Sequence, residues 1–246
     1  MALFTIADLH LSALGNHKMD VFGSRWQDYT QKICKAWRSV VNDQDTVVIP
    51  GDVSWGMTLD EARDDFALLN SLPGKKLIGK GNHDFWWDTA KKCYRFFEEN
   101  GFTTMSLLYN NAYIIEDFIV CGTRGWFLEK EQQVTVGEVD FEKISARELG
   151  RLKLSLDAAR ALQQNGNENK EILVFLHFPP KWKDFEFKEM LKMLAEYGIT
   201  RCYFGHIHGS YNTEPTIPSG NLSARLISSD FLNFIPYKIT PKENNL

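Results

Sequence analysis

Thr46-Val47-Val48-Ile49-Pro50-Gly51-Asp52 decides how this chain folds. Its apolar, β-branched core is too short for a helix and stops at a glycine, then a carboxylate. That is the pattern of a strand buried on both faces, with polar residues emerging behind its C-terminal end. Four more runs do the same: Leu3–Ala7 before Asp8 and His10, Lys76–Gly79 before Gly81-Asn82-His83-Asp84, Ile172–Leu176 before His177, and Arg201–Phe204 before Gly205-His206-Ile207-His208.

Helical patterns fill the intervals. From Asp28 to Val41, Ile33, Trp37, Val40 and Val41 recur at helical spacing, and Thr58 to Leu72 opens on Thr58 and Glu61, a capping-box pair. Asp88 is the expected N-cap of a helix through Phe97. Phe141 to Gln164 reads as the longest helix, with Leu149, Leu152, Leu156 and Ala159 on one stripe, and another helix is expected over Phe185 to Tyr197. Two paired runs, Ala112–Ile115 with Phe118–Cys121 and Leu222–Ser228 with Phe234–Ile239, read as antiparallel strands. Alternating strands and helices with antiparallel additions predict an α/β chain with mixed sheets. The 246 residues suit one domain over 1–240 and a polar tail over 241–246.

With 43% hydrophobic and 24% charged residues the chain has ample core material. Its net charge of −4 offers no general attraction to nucleic acid or anionic membranes, and no Lys/Arg-rich run suggests a phosphate-backbone footprint. Cys34, Cys93, Cys121 and Cys202 form no CxxC pair. With no membrane-length apolar stretch and no export signal, a cytoplasmic protein is expected.

Five of the six histidines therefore stand close behind buried strands, where α/β sheets form ligand sites; the sixth, His17, sits in a polar loop and is set aside. Residues two apart on an extended chain share a face, so Asp8 with His10, and His206 with His208, can aim into one cavity. Donors of nitrogen and oxygen only favour manganese, iron, zinc or cobalt over a thiolate-bound structural zinc. Seven donors, Asp8, His10, Asp52, Asn82, His177, His206 and His208, exceed one tetrahedral ion. Two cations about 3.5–4 Å apart need a bridging anion, a role that suits Asp52. Each fragment alone is more often an ordinary polar pair; five behind five strands reverse that weighting.

These blocks resemble the calcineurin-like metallophosphoesterases, whose signatures run Asp-x-His, Gly-Asp, Gly-Asn-His-Asp/Glu, His and Gly-His-x-His. All five occur in order between Asp8 and His208. The resemblance implies a four-layer αββα sandwich, two mixed sheets flanked by helices. It puts Asp8, His10, Asp52 and His208 on a first metal and Asp52, Asn82, His177 and His206 on a second, with manganese or iron favoured. A narrower resemblance, to uncharacterised bacterial phosphohydrolases, rests on Gly51-Asp52-Val53-Ser54-Trp55, Asn82-His83-Asp84-Phe85-Trp86-Trp87 and Gly122-Thr123-Arg124-Gly125-Trp126.

The expected chemistry is hydrolysis of a small phosphorylated substrate. A hydroxide bridging the metals attacks phosphorus in line, His83 serves as acid or hydrogen-bond donor, and Asp84 holds His83 charged. Arg124 either grips phosphate or forms a surface ion pair. Trp55 and Trp86 are candidate walls for an aromatic group, Trp87 beside them, and Met19–Trp26 is expected to overlie the site, with Arg25 and Trp26 near substrate. A monoesterase is favoured. A diesterase on cyclic or dinucleotides shares the same blocks, and a non-catalytic scaffold should have lost ligands. The deaminase His-x-Glu with paired cysteines and the metallo-β-lactamase His-x-His-x-Asp-His are absent.

Overall fold

The computed structural model describes residues 1–13, 15, 19–126 and 141–242; His17 and tail positions 243–246 lie outside them. The strands β1 (Leu3–Thr5), β2 (Thr46–Pro50), β3 (Lys75–Gly79) and β4 (Met105–Leu107) run parallel, and β13 (Tyr237–Ile239) closes that sheet antiparallel to β1. A second sheet orders β11 (Thr216–Ser219), β12 (Leu222–Leu226), β10 (Arg201–Phe204), β7 (Glu171–Leu176), β6 (Phe118–Thr123) and β5 (Ala112–Ile115). Its four central strands are parallel and its two edges antiparallel. A small hairpin joins β8 (Lys181–Trp182) to β9 (Phe185–Glu186).

Period-two alternation sorts the layers. Val47 and Ile49 of β2 and Ile78 of β3 face Ile33, Trp37, Phe66, Leu69, Phe96 and Phe97, which come from helices α1 (Tyr29–Val40), α2 (Arg63–Ser71) and α3 (Ala90–Glu99). On the second sheet Val174, Leu176, Cys202 and Phe204 face Leu152, Leu156, Met190 and Leu194 of α4 (Phe141–Gln164) and α5 (Lys188–Glu196). The intervening residues, Leu3, Val48 and Leu77 from one sheet and Val120, Leu173, Phe175 and Tyr203 from the other, pack between the sheets. The order is therefore helices, sheet, sheet, helices, as expected. Each such side chain is worth roughly 1.5–3 kcal/mol of burial. All four cysteines are buried and unpaired. No helix among the described residues is long and apolar enough to cross a membrane.

Local expectations differ in four places. Leu222–Leu226 pairs with Thr216–Ser219 across the Gly220 turn, and Tyr237–Ile239 crosses to β1, because Ser229 and Asp230 turn the chain into the other sheet's edge. Phe185 and Glu186 are strand, so α5 starts only at Lys188. The region from Thr58 becomes α-helical at Arg63; the Thr58 hydroxyl accepts from the Glu61 amide at 3.2 Å as a capping box requires, but the Glu61 carboxylate accepts from the Met57 amide rather than from Thr58. Thr89, not Asp88, caps α3 through the Lys92 amide, while Asp88 pairs with the Lys92 ammonium at 2.7 Å.

Between β6 and β7 the backbones approach so closely that a Cβ on Gly122 would stand 2.0 Å from the Phe175 carbonyl oxygen. Gly122→Ala is expected to destabilise the fold by about 2–4 kcal/mol, as overpacking does. A thermal midpoint lowered by at least about 4 °C would match this; an unchanged midpoint would contradict it.

Candidate metal centre

Asp8, Asp52 and Asn82 follow β1, β2 and β3 of the first sheet; His177 and His206 follow β7 and β10 of the second. The parallel strands of both sheets thus deliver their trailing loops to one place. Backbone hydrogen bonds fix the loops to each other. The amides of Asp8, His10 and Leu11 donate to Gly51, Asp52 and Val53, the Gly205 amide donates to His177 O, and Ala7 bridges to Ser228 across the two sheets.

Strand alternation is not what aims Asp8 and His10. Both lie beyond β1 with left-handed backbones, φ 59° and 47°, as do Asp52 at 53° and His206 at 69°. Aspartate and histidine tolerate that region better than most residues, and the loop hydrogen bonds hold them there. Close packing leaves no room beside them: a Cβ on Gly81 would lie 2.0 Å from Asp52 Oδ1, and one on Gly205 2.6 Å from Asp8 Oδ2.

Two groups of donors result. Asp8, His10 and His208 form one, Asp8, Asp52 and His177 the other, and within each the donor atoms lie within 4.8 Å of one another. His10 Nε2 is 3.2 Å from His208 Nε2 and 3.7 Å from Asp52 Oδ2, while His177 lies 3.5 Å from both carboxylates. Asn82 Oδ1 stands 2.7 Å from His177 Nε2 and 3.1 Å from His206 Nδ1, so all seven candidate ligands converge. Asp8 and Asp52 both border the second group, and Asp8 also borders the first. The Nδ1 atoms of His10 and His177 are buried and make no hydrogen bond among the described residues. A cage of buried carboxylates and uncommitted imidazole nitrogens fits divalent cations.

The electrostatics agree. Burial pushes the Asp8 carboxyl up to about 6 and Asp52 well above its ordinary range. It pulls His10 and His177 well below the usual imidazole range and His206 down to about 3, with neighbouring imidazoles adding to the effect. For His208, burial is outweighed by the Asp230 hydrogen bond and the charges of Asp8 and Asp230, and the ring is raised.

Several expected roles change. Asp84 does not meet the His83 ring: its buried carboxylate accepts from the amides of Gly81, Asp52 and Val53 at 2.7–2.8 Å and from the Trp86 indole at 2.8 Å. It organises the Gly51-Asp52 and Gly81-Asn82 loops instead of charging His83. Burial, then the charge of His208, lowers His83, which favours a neutral ring. Trp86 is no substrate wall, being 2% exposed and set edge-on to Phe66, and Trp87 is buried beside it. Trp55 packs against candidate site residues, stacked on His10 at 5.0 Å and tilted against His83 at 4.5 Å. Met19–Phe22 and Ser24–Trp26 are short 3-10 turns; Trp26 is buried, edge-on to His10 and His208, while Arg25 holds the Asp230 carbonyl at 2.7 Å. Arg124 borders the site: its carbonyl accepts from the His177 amide, and its guanidinium is 3.5 Å from the buried Glu148 carboxylate.

Sequence reasoning missed Asp230 and Ser229. Asp230 accepts from His208 Nδ1 at 2.9 Å and from the Gly209 amide at 3.0 Å; the Ser229 hydroxyl donates to Asp8 O at 2.7 Å. Such partners fix the tautomer and direction of a ligating imidazole. Their only signal is a polar Ser-Ser-Asp directly behind an apolar run.

Because the Asp8 carboxyl is raised to about 6 from 3.8, its contribution to the metal-free fold is full at low pH and lost as pH rises through about 6. Cations compete with that proton. The drop in thermal midpoint caused by a chelator is therefore expected to be larger at pH 8 than at pH 5; a gap that shrinks with rising pH would contradict this.

The calcineurin-like phosphoesterase family model matches residues 1–210. The Gene 66 protein of Mycobacterium phage L5 is 32% identical over 78 residues, 32% of this chain and 37% of that protein's length. The solved structure of TT1561 from Thermus thermophilus superposes with a TM-score of 0.58 at 10% identity over 97% of both chains. A protein of unknown function from Aquifex aeolicus, AQ665, gives 0.47 at 12% identity over 96% of this chain and 95% of the other. At 10% identity TT1561 speaks to fold alone, but the family match spans every ligand block: the chain belongs to the calcineurin-like phosphoesterases.

Proposed function

We propose that this chain hydrolyses small phosphorylated substrates with two divalent cations, manganese or iron ahead of zinc or cobalt, and monoesters ahead of diesters. The observation that carries the reading is the pair of donor groups sharing Asp8, built from Asp8, His10 and His208 and from Asp8, Asp52 and His177. Asn82 and His206 complete the second side. Cations held there supply charge neutralisation for phosphate oxygens and acidify water.

The chain's own groups do the rest. His83 is half-buried beside His10, its ring edge-on at 5.6 Å, and its neutral form donates an N–H to a phosphate or leaving oxygen. Arg124, anchored through its carbonyl to the loop of His177 and lying beside Glu148, offers a planar donor fork to an anionic group of the substrate. Trp55 keeps the rings of His10 and His83 in place and borders the substrate. Asp52 Oδ1, accepting from the His83 amide at 2.8 Å, couples a ligand directly to the His83 backbone.

A metal-reconstituted assay on p-nitrophenyl phosphate and its bis-ester tests the reading. Faster turnover of the monoester is expected; a diester preference would overturn that part, and no turnover with two metals bound would overturn hydrolysis altogether. His83→Ala is expected to lower kcat by about 10²-fold or more while metal content stays at two ions per chain. An unchanged kcat would remove His83 from the mechanism.

A further inference from the structure

The sequence shows no Lys/Arg-rich run, yet folding gathers four basic side chains beside the metal centre. Arg124 follows β6; Arg147 and Arg151 stand four apart on one face of α4; Lys80 lies two residues before Asn82. One carboxylate serves the three arginines. Glu148, fully buried, has Arg151 at 2.6 Å, Arg124 at 3.5 Å and Arg147 at 4.0 Å, all on the same oxygen. Its other oxygen accepts from the Thr123 hydroxyl at 3.2 Å.

Among the described residues only Arg151 of the three arginines makes a hydrogen bond to Glu148, and Arg124 Nε is buried without a hydrogen-bond partner. Lys80 lies within the electrostatic reach of Arg124, Arg151, Asp84 and Glu148. Among the described residues the three arginines meet one buried carboxylate and Arg151 alone of them hydrogen-bonds it, which leaves a surplus of donors on Arg124 and Arg147 that the ion-pair network does not use. Aromatic faces accompany the donors: Arg124 lies 5.3 Å from the Trp126 ring and Arg151 5.6 Å from Tyr109. From Trp126, rings lead through Phe178 to His206, at 5.6 Å and 4.5 Å. The surplus adjoins the cage through Arg124, whose carbonyl accepts from the His177 amide at 3.1 Å.

The geometry points to a second anion subsite, formed by Lys80, Arg124, Arg147 and Arg151 around Glu148, that takes a second phosphate of the substrate while the first lies at the metal centre. The inference rests on the hydrolase reading above and narrows its substrate class to compounds with two phosphate groups. Exposure grades the three arginines: Arg124 is 17% exposed, Arg151 28% and Arg147 53%, so the donors rise toward the solvent, as an entering anion requires. The chain's overall charge of −4 makes such a local surplus the main source of attraction besides the cations.

The test compares matched pairs on the metal-loaded full chain: glucose 1,6-bisphosphate against glucose 6-phosphate, and fructose 1,6-bisphosphate against fructose 6-phosphate. Wild type is expected to favour the bisphosphate in kcat/KM by about tenfold or more, the size of one charge-assisted hydrogen bond. Arg151→Gln and, independently, Lys80→Gln are expected to reduce that ratio. Each ratio compares two substrates on one protein, so general destabilisation cancels. A wild-type ratio near one, or a ratio kept by both variants, overturns the subsite. Calorimetric binding of the same four sugar phosphates separates the two readings. If nothing is hydrolysed but the bisphosphates still bind more tightly, and lose that advantage in the variants, the subsite stands and the hydrolase reading falls.

Discussion

The burial of two carboxylates, Asp8 and Asp52, with almost no exposed surface is the constraint that the structure is arranged around. A desolvated carboxylate is costly unless donors or cations face it. The chain supplies donors from its own backbone, the His206 amide on both oxygens of Asp8 and the His83 amide on Asp52, and leaves the remaining lone pairs facing imidazoles. Parallel strands are what make this possible, because they end together and let five loops meet. The four-layer arrangement then covers both faces of both sheets.

Two further carboxylates hold the loops that hold the ligands. Asp84 gathers three amides and an indole into one buried knot between the Gly51-Asp52 and Gly81-Asn82 loops. Asp230 does the same from the second sheet, directing His208 through Nδ1 and binding the Gly209 amide, while Arg25 grips its carbonyl. Trp26 closes the packing beneath His10 and His208. The centre is thus stiff in its frame and open where His208 meets solvent.

The ligands and the layers were legible because each signal is local: an apolar run, a stop, then a donor. Period two in Val47-Val48-Ile49 and in Leu173-Val174-Phe175 already separates the two sides of each sheet. What stayed hidden depends on partners distant in sequence. Asp84 looks like a partner for His83 until the amides of Asp52 and Val53 are seen around it. Asp230 reads as a turn until His208 arrives from twenty-two residues away. Trp86 and Trp55 look alike in sequence, and only packing sends one into the core and leaves the other against His10 and His83. The same holds for Lys80, Arg124, Arg147 and Arg151, spread over seventy-two positions: the β6–α4 contact brings the three arginines together, and Lys80 comes from behind β3 of the other sheet.

The return of β13 to the first sheet has a consequence for how the molecule comes into being. Residues 237–239 complete a sheet whose other four strands end by Leu107, while the whole second sheet is made in between. The earlier half cannot seal its β1 edge until residues 237–239 have been synthesised, and Asp230, which directs His208, arrives only shortly before. Long-range closure of this kind carries a large loop entropy and slows assembly. It also makes the two sheets one cooperative unit, in which neither half of the cage can persist without the other.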